Sequence, residues 1–248
     1  NMRLDEHLAR ALMERRGSPT LRVYGWSPPA VSLGWNQDIG EIDRDAASRD
    51  GVDVVRRPTG GRAILHDQEV TYAVIMRSDG NGIAAVYRTI SEALVAGLKT
   101  LGVDAKLERS QPDFPSVYRD PTGTACFSVS ARHEIVVDGK KLVGSAQRRF
   151  PGGGGPEVVL QHGSILLGPG HRRLSRYLSI PDEQRRRIAS VLGARTTDLA
   201  EILHSPPSFD EVADAIRRGF ELSWGIAFRD GETPPLVTAP VYPSLTIS

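Results

Sequence analysis

Apolar residues at the start of the chain recur at helical spacing: Leu4, Leu8, Ala11 and Leu12 fall on one face, and Gly17 marks the stop. The period then drops to two. Leu21 and Val23 alternate with polar neighbours, Pro28-Pro29 interrupts, and Ala30 to Leu33 resume an extended run. "VDVVRRPTGGRAILHDQEVTYAVIM" predicts strand, glycine loop, short strand, turn and strand, its end rich in the β-branched and aromatic residues of buried strands. From Ala84 to Leu101 helical spacing returns, with Val86, Ile90, Leu94, Leu98 and Leu101 inward and Gly102 as the stop. "HEIVVDGKKLVGSA" predicts a hairpin turning at Asp138-Gly139, which pairs Val136 with Lys141 and Ile135 with Leu142. A loop at 151–156, "PGGGGP", precedes a further strand, "VVLQHGSILL". Beyond about residue 170 the pattern is helical, the last helix opening with Ser208 and Glu211 at capping-box spacing.

Strands early and helices late predict an α+β fold, a mixed or antiparallel sheet flanked by helices. Residues 1–180 would form the main unit, and 181–248 its helical end or a small appendage. Thirty-one basic against 30 acidic residues leave a net charge of +1, which excludes a general nucleic-acid binder. A single cysteine, Cys126, excludes a disulfide scaffold. The charged opening has no apolar signal core, and no stretch approaches the roughly 20 apolar residues of a membrane span. A soluble, cytoplasmic protein with no membrane partner is expected.

Three features could carry chemistry, and each has an ordinary structural reading beside the functional one. Gly60 and Gly61, among Arg56, Arg57, Arg62 and His66, let a backbone pass close to a ligand or simply make a turn. The surroundings match neither a P-loop nor a dinucleotide fingerprint. The hairpin points Lys140 and Lys141 to opposite faces, and one of them must meet an apolar environment, where an amine gives up its proton more readily. Alternatively both lysines edge the sheet in water. Cys126 is either small core packing or, beside an ammonium, a thiolate nucleophile. His66 and His162 could carry protons; there is no zinc spacing and no serine-hydrolase elbow.

Taken together, "NMRLDE", "YGWSPPAVSLGWNQ", "RRPTGGRAILHDQEVTYAVI", "DGKKLVGSAQRR" and "LQHGSILL" resemble the lipoate/octanoate protein ligases and acyltransferases, which share a fold with biotin protein ligases. Within that family "GGRAILHDQE" and "ACF" look most like the octanoyltransferases of the Bacillus type. The resemblance implies transfer of octanoyl from octanoyl-acyl carrier protein to a lysine of a lipoyl-domain protein such as the glycine-cleavage H protein, without a cofactor. Cys126 would carry the acyl thioester, and Lys141 would favour its thiolate and later take the amine's proton. Arg57, Thr59, Gly60, Gly61 and His66 would cover the acyl chain. Gly144, Ser145 and Ala146 would form the floor under the carbonyl, with Trp35 and His162 lining the pocket. Ser-Val-Ser after Phe127 and the long "RFPGGGGPE" depart from the branch pattern and bear on the choice of acceptor. The alternatives are an ATP-dependent lipoate ligase using ATP and Mg, and a non-catalytic binder of lipoyl domains.

Overall fold

A computed structural model describes residues 1–108, 134–151 and 156–231. Its centre is a six-stranded sheet in the order β1-β5-β9-β8-β7-β6, every neighbouring pair antiparallel. The strands are β1 (Thr20–Tyr24), β5 (Glu69–Arg77), β9 (Val158–Leu166), β8 (Lys140–Phe150), β7 (Ile135–Val137) and β6 (Lys106–Leu107). A three-stranded sheet stands apart, with β2 (Ala30–Leu33) parallel to β3 (Asp53–Arg56) and antiparallel to β4 (Ile64–His66). The α+β expectation with mixed pairing therefore holds. No helix among the described residues is long and apolar enough to cross a membrane.

Helix α1 (Met2–Met13) lies against β5 and β9. Its buried residues are Met2, Leu4, Asp5, Ala9 and Leu12, so the inward face is rotated from the expected one and includes a carboxylate. α3 (Ile83–Thr100) buries Val86, Ile90, Leu94 and Leu98 as expected, with Leu101 half-buried just beyond its end.

After β9 come a 3-10 helix (Pro169–Tyr177), α4 (Asp182–Arg195), α5 (Leu199–Leu203) and α6 (Phe209–Trp224), the last begun by the expected Ser208–Glu211 capping box. α6 crosses α3 at close range. A Cβ on Gly97 would stand 2.5 Å from the Ala215 carbonyl oxygen, which glycine alone avoids. Val212, Ile216 and Phe220 of α6 enter the same core cluster as Ile90, Leu94 and Leu98. Burying such side chains supplies roughly 1.5–3 kcal/mol each, so α6 completes the main core.

Neither α2 (Arg44–Arg49) nor the 3-10 helix after β9 was foreseen. α2 buries only Ala46 and Ala47, too few apolar positions to give a period, and the 3-10 helix is nearly all polar in sequence. The hairpin register also needs correcting. Val136 faces Lys141 as expected, but a bulge between Ile135 and Val136 sets Ile135 opposite Val143 rather than Leu142.

Candidate active site

The site begins with the pleat shared by β8 and β9. Gly144 faces Ser164, Ser145 faces Gly163, and Ala146 faces His162. A Cβ on Gly163 would stand 2.8 Å from both Ser145 Oγ and the Tyr72 ring, so glycine there lets the strands and the tyrosine close together. Tyr72 donates its hydroxyl to Ser145 Oγ at 2.6 Å, and burial pushes its pKa up to about 12. Tyr87 donates to the Ser145 carbonyl at 3.0 Å. Ser145 is thus held from its side chain and from its backbone.

Above this pleat lies a narrow slot bounded by Gly144, Ser145, Ala146, His162, Arg57 and His66, with Met2, Ile64 and Thr71 on its walls. Its volume is about 20 Å³, room for roughly one water molecule. Any longer group enters only if a wall turns aside, and Met2, unbranched and at the start of α1, is an adaptable part of that wall.

The glycine loop is clamped from within. Arg57, 2% exposed, donates to the Ser32 and Gly60 carbonyls at 3.0 and 2.8 Å and to the Arg62 carbonyl at 2.7 Å. Its guanidinium fixes the path of the loop while also reaching the slot. Gly61 has φ +93, and a Cβ on Gly34 would overlap the Gly61 carbonyl oxygen. Gly60 faces open space.

Two buried histidines each meet a carboxylate. His66 contacts Glu69 Oε1 through Nδ1 at 2.8 Å and Ser32 Oγ through Nε2 at 2.7 Å, and stacks on Trp26 at 4.4 Å. Thr71 and Ser164 also donate to Glu69 Oε1, at 2.5 and 2.8 Å. His162 contacts Thr59 Oγ1 through Nε2 at 2.6 Å and Asp5 Oδ2 through Nδ1 at 3.3 Å. Desolvation lowers the His162 pKa, opposed by the hydrogen bond and charge of Asp5. Asp5 further receives Arg22 and, at 2.9 Å, the Tyr24 hydroxyl. Tyr24 is held well above its ordinary pKa, first by burial and then by Asp5.

The two hairpin lysines separate as their alternation demands. Lys141 is fully buried and donates to Glu134 at 2.6 Å; Lys140 lies at the surface and pairs with Glu201 at 3.0 Å. Cys126, the expected nucleophile, lies outside the described residues.

Of the expected site residues, Arg57, His66, Gly144, Ser145, Ala146 and His162 meet at one slot, and Thr59 joins through His162. Trp35, expected to line the pocket, is not among the residues bounding this slot. It lies 45% exposed just after β2, its ring 4.6 Å from the Arg148 guanidinium and its amide donating to the Thr59 carbonyl at 2.9 Å. Sequence reasoning missed Asp5, Ser32, Glu69 and Glu134. Their common signal is a polar residue on an otherwise apolar stripe, as Asp5 is between Leu4, Leu8 and Leu12.

The chain belongs to the lipoyl protein ligase A/B catalytic domain family, whose model matches residues 1–221. Among curated proteins it is 42% identical to the octanoyltransferase LipM of Symbiobacterium thermophilum, over 94% of this chain and 84% of that one. It is 37% identical to the octanoyltransferase LipM of Bacillus subtilis, over 91% and 82%. Among solved structures it is similar to the bipartite lipoate protein ligase of Thermoplasma acidophilum, with TM-score 0.72, 27% identity, and 93% and 82% of the chains covered. A lipoate-protein ligase A bound with ATP gives TM-score 0.70 at 26% identity, covering 93% and 84%.

Proposed function

We propose that this protein is an octanoyltransferase of protein lipoylation, moving octanoyl from octanoyl-acyl carrier protein to a lysine of a lipoyl-domain protein of the glycine-cleavage H type. The observation that carries the reading is a contrast. Identity reaches 42% with an octanoyltransferase over 94% of this chain but 26% with the ATP-bound ligase over 93% of it. It acts in the cytoplasm, where its carrier-protein donor is made.

Cys126 is the nucleophile of this reading. Its thiolate attacks the donor thioester carbonyl, the carrier's thiolate leaves, and an acyl-enzyme results. Thioester exchange is nearly balanced in energy, so neither ATP nor a metal is needed. Lys141, buried beside Glu134, is the residue of this reading that favours the thiolate. The acceptor amine then attacks the enzyme thioester, and the stability of the amide makes this step effectively irreversible. Gly144, Ser145 and Ala146 support the acyl group under the glycine-loop cover, and each methylene buried in the widened slot adds about 0.8 kcal/mol.

The test is transfer from octanoyl-acyl carrier protein to a lipoyl domain with nucleotide withheld. Amide formation that is lost in Cys126→Ser supports the proposal. Transfer from free acid that requires ATP and survives Cys126→Ser places the protein with the ligases.

A further inference from the structure

We propose that Thr59, His162 and Asp5 form the relay that removes the proton of the acceptor amine as it attacks the acyl group, a role that rests on the octanoyl-transfer reading above. As the C–N bond forms, the nitrogen must lose a proton, and a positioned base typically accelerates such a step about 10²–10⁴-fold. Lys141 is poorly suited to this duty. Its side chain is fully buried and already donates to Glu134 at 2.6 Å, a contact that offsets the desolvation of both groups and turns it away from a second partner's proton.

His162 differs on each count. It borders the slot beside Ser145 and Ala146, where the acyl group is proposed to lie. Its two nitrogens are assigned by their neighbours: Nδ1–H donates to Asp5 at 3.3 Å, which leaves Nε2 to accept the Thr59 hydroxyl hydrogen at 2.6 Å. The groups acting on the ring are Asp5 from α1, Arg57 from the clamp and His66 from β4, with Arg22 and Tyr24 of β1 reaching it through Asp5. Asp5 favours a charged ring, whereas burial and Arg57 disfavour it, so the resting imidazole is neutral and able to accept. Thr59 is buried in the resting structure and joins the slot through His162, and its oxygen keeps lone pairs for an N–H that enters with the acyl chain once the slot has widened.

The step balances. A neutral amine, its first proton already lost to water, attacks the acyl carbon; the C–S bond breaks with its electron pair on sulfur. The nitrogen's proton passes to Thr59 Oγ1 as Thr59 passes its own to His162 Nε2, leaving amide, thiolate and an imidazolium stabilised by Asp5.

The test measures the two half-reactions separately on the full chain: acyl loading from octanoyl-acyl carrier protein by intact mass, and amide formation on a lipoyl domain from pH 5.5 to 9. In Thr59→Val and His162→Gln, amide formation should fall about 100-fold, at least about tenfold more than loading does, and its rate should become proportional to hydroxide. Thr59→Ser, which restores only the hydroxyl, should recover most of the loss, a rescue that a packing role would not produce. Equal losses in both half-reactions, an unaltered pH profile, or a Thr59→Ser variant no better than Thr59→Val would overturn the relay. Absence of any acyl-enzyme in the unmodified protein would instead sink the thioester reading, and the relay would then stand or fall on the pH profile of amide formation alone.

Discussion

Lys140 and Lys141 are adjacent, chemically identical and on one strand, yet one is partly exposed and the other fully buried. Lys141 is fully buried against Glu134, while Lys140 reaches Glu201 across the surface. The alternation of β8 alone sends them apart. Their difference teaches that an ion pair takes its meaning from its solvent. The exposed pair is screened and contributes about 0–1 kcal/mol, whereas breaking the buried one strands a charge and costs about 3–5 kcal/mol.

The largest effect is expected at Lys141. Lys141→Met should abolish octanoyl transfer and lower stability by about 3–5 kcal/mol in urea unfolding, because Glu134 loses its cation. The double variant Lys141→Met/Glu134→Leu should recover most of that stability and none of the transfer. Recovery of both would show that the pair only holds the fold.

The backing of the buried lysine should be sensitive to acid. The Thr197 amide donates to the Lys141 carbonyl at 3.0 Å, and neighbouring Thr196 contacts His171 Nε2 at 2.7 Å. Burial lowers the His171 pKa from 6.5 to about 4, so the unfolded chain binds the extra proton between those values. Stability should therefore be complete above pH 6.5 and fall by on the order of 3 kcal/mol towards pH 4, a limb that His171→Gln flattens. An identical acid limb in the variant would assign it elsewhere.

A third change touches the cover. Gly34→Ala would drive a methyl group into the Gly61 carbonyl, displacing the glycine loop at a cost of about 1–3 kcal/mol and a larger loss of transfer than of stability. Unimpaired transfer in this variant would remove the loop from the site.

The smallest effect belongs to Lys140. Lys140→Ala should leave transfer within about twofold and shift stability by less than about 1 kcal/mol, as exposed pairs do. The Glu201 carboxyl is held below its ordinary value first by its hydrogen bond to Lys140, so the small contribution is present at neutral pH and disappears as the carboxylate protonates in acid. High salt should erase it as well.

The sequence disclosed most of the scaffold because the relevant signals are local. The Asp138-Gly139 turn, the Gly60-Gly61 loop and the apolar period of α3 each depend on residues close together in the chain. Opposed Lys140 and Lys141 followed from strand alternation, and a buried lysine was one of the two outcomes weighed. What escaped was long-range. Asp5 and His162 meet across 157 positions, and Thr59 and His162 across 103, contacts that no local pattern encodes. The bulge before Val136 escaped because one unpaired residue leaves the strand pattern on either side intact. Trp35 was assigned to the pocket through the resemblance; β2 ends two residues earlier, and its ring lies half in solvent beside the glycine loop.

The central claim is that Cys126 receives the octanoyl group under the influence of Lys141, and intact-mass measurement of the full chain mixed with octanoyl-acyl carrier protein tests it most directly. The account predicts a gain of one octanoyl group that neutral hydroxylamine removes, absent in Cys126→Ser and slowed at least about tenfold in Lys141→Met. An unchanged mass in the unmodified chain while octanoyl still reaches a lipoyl domain would contradict it.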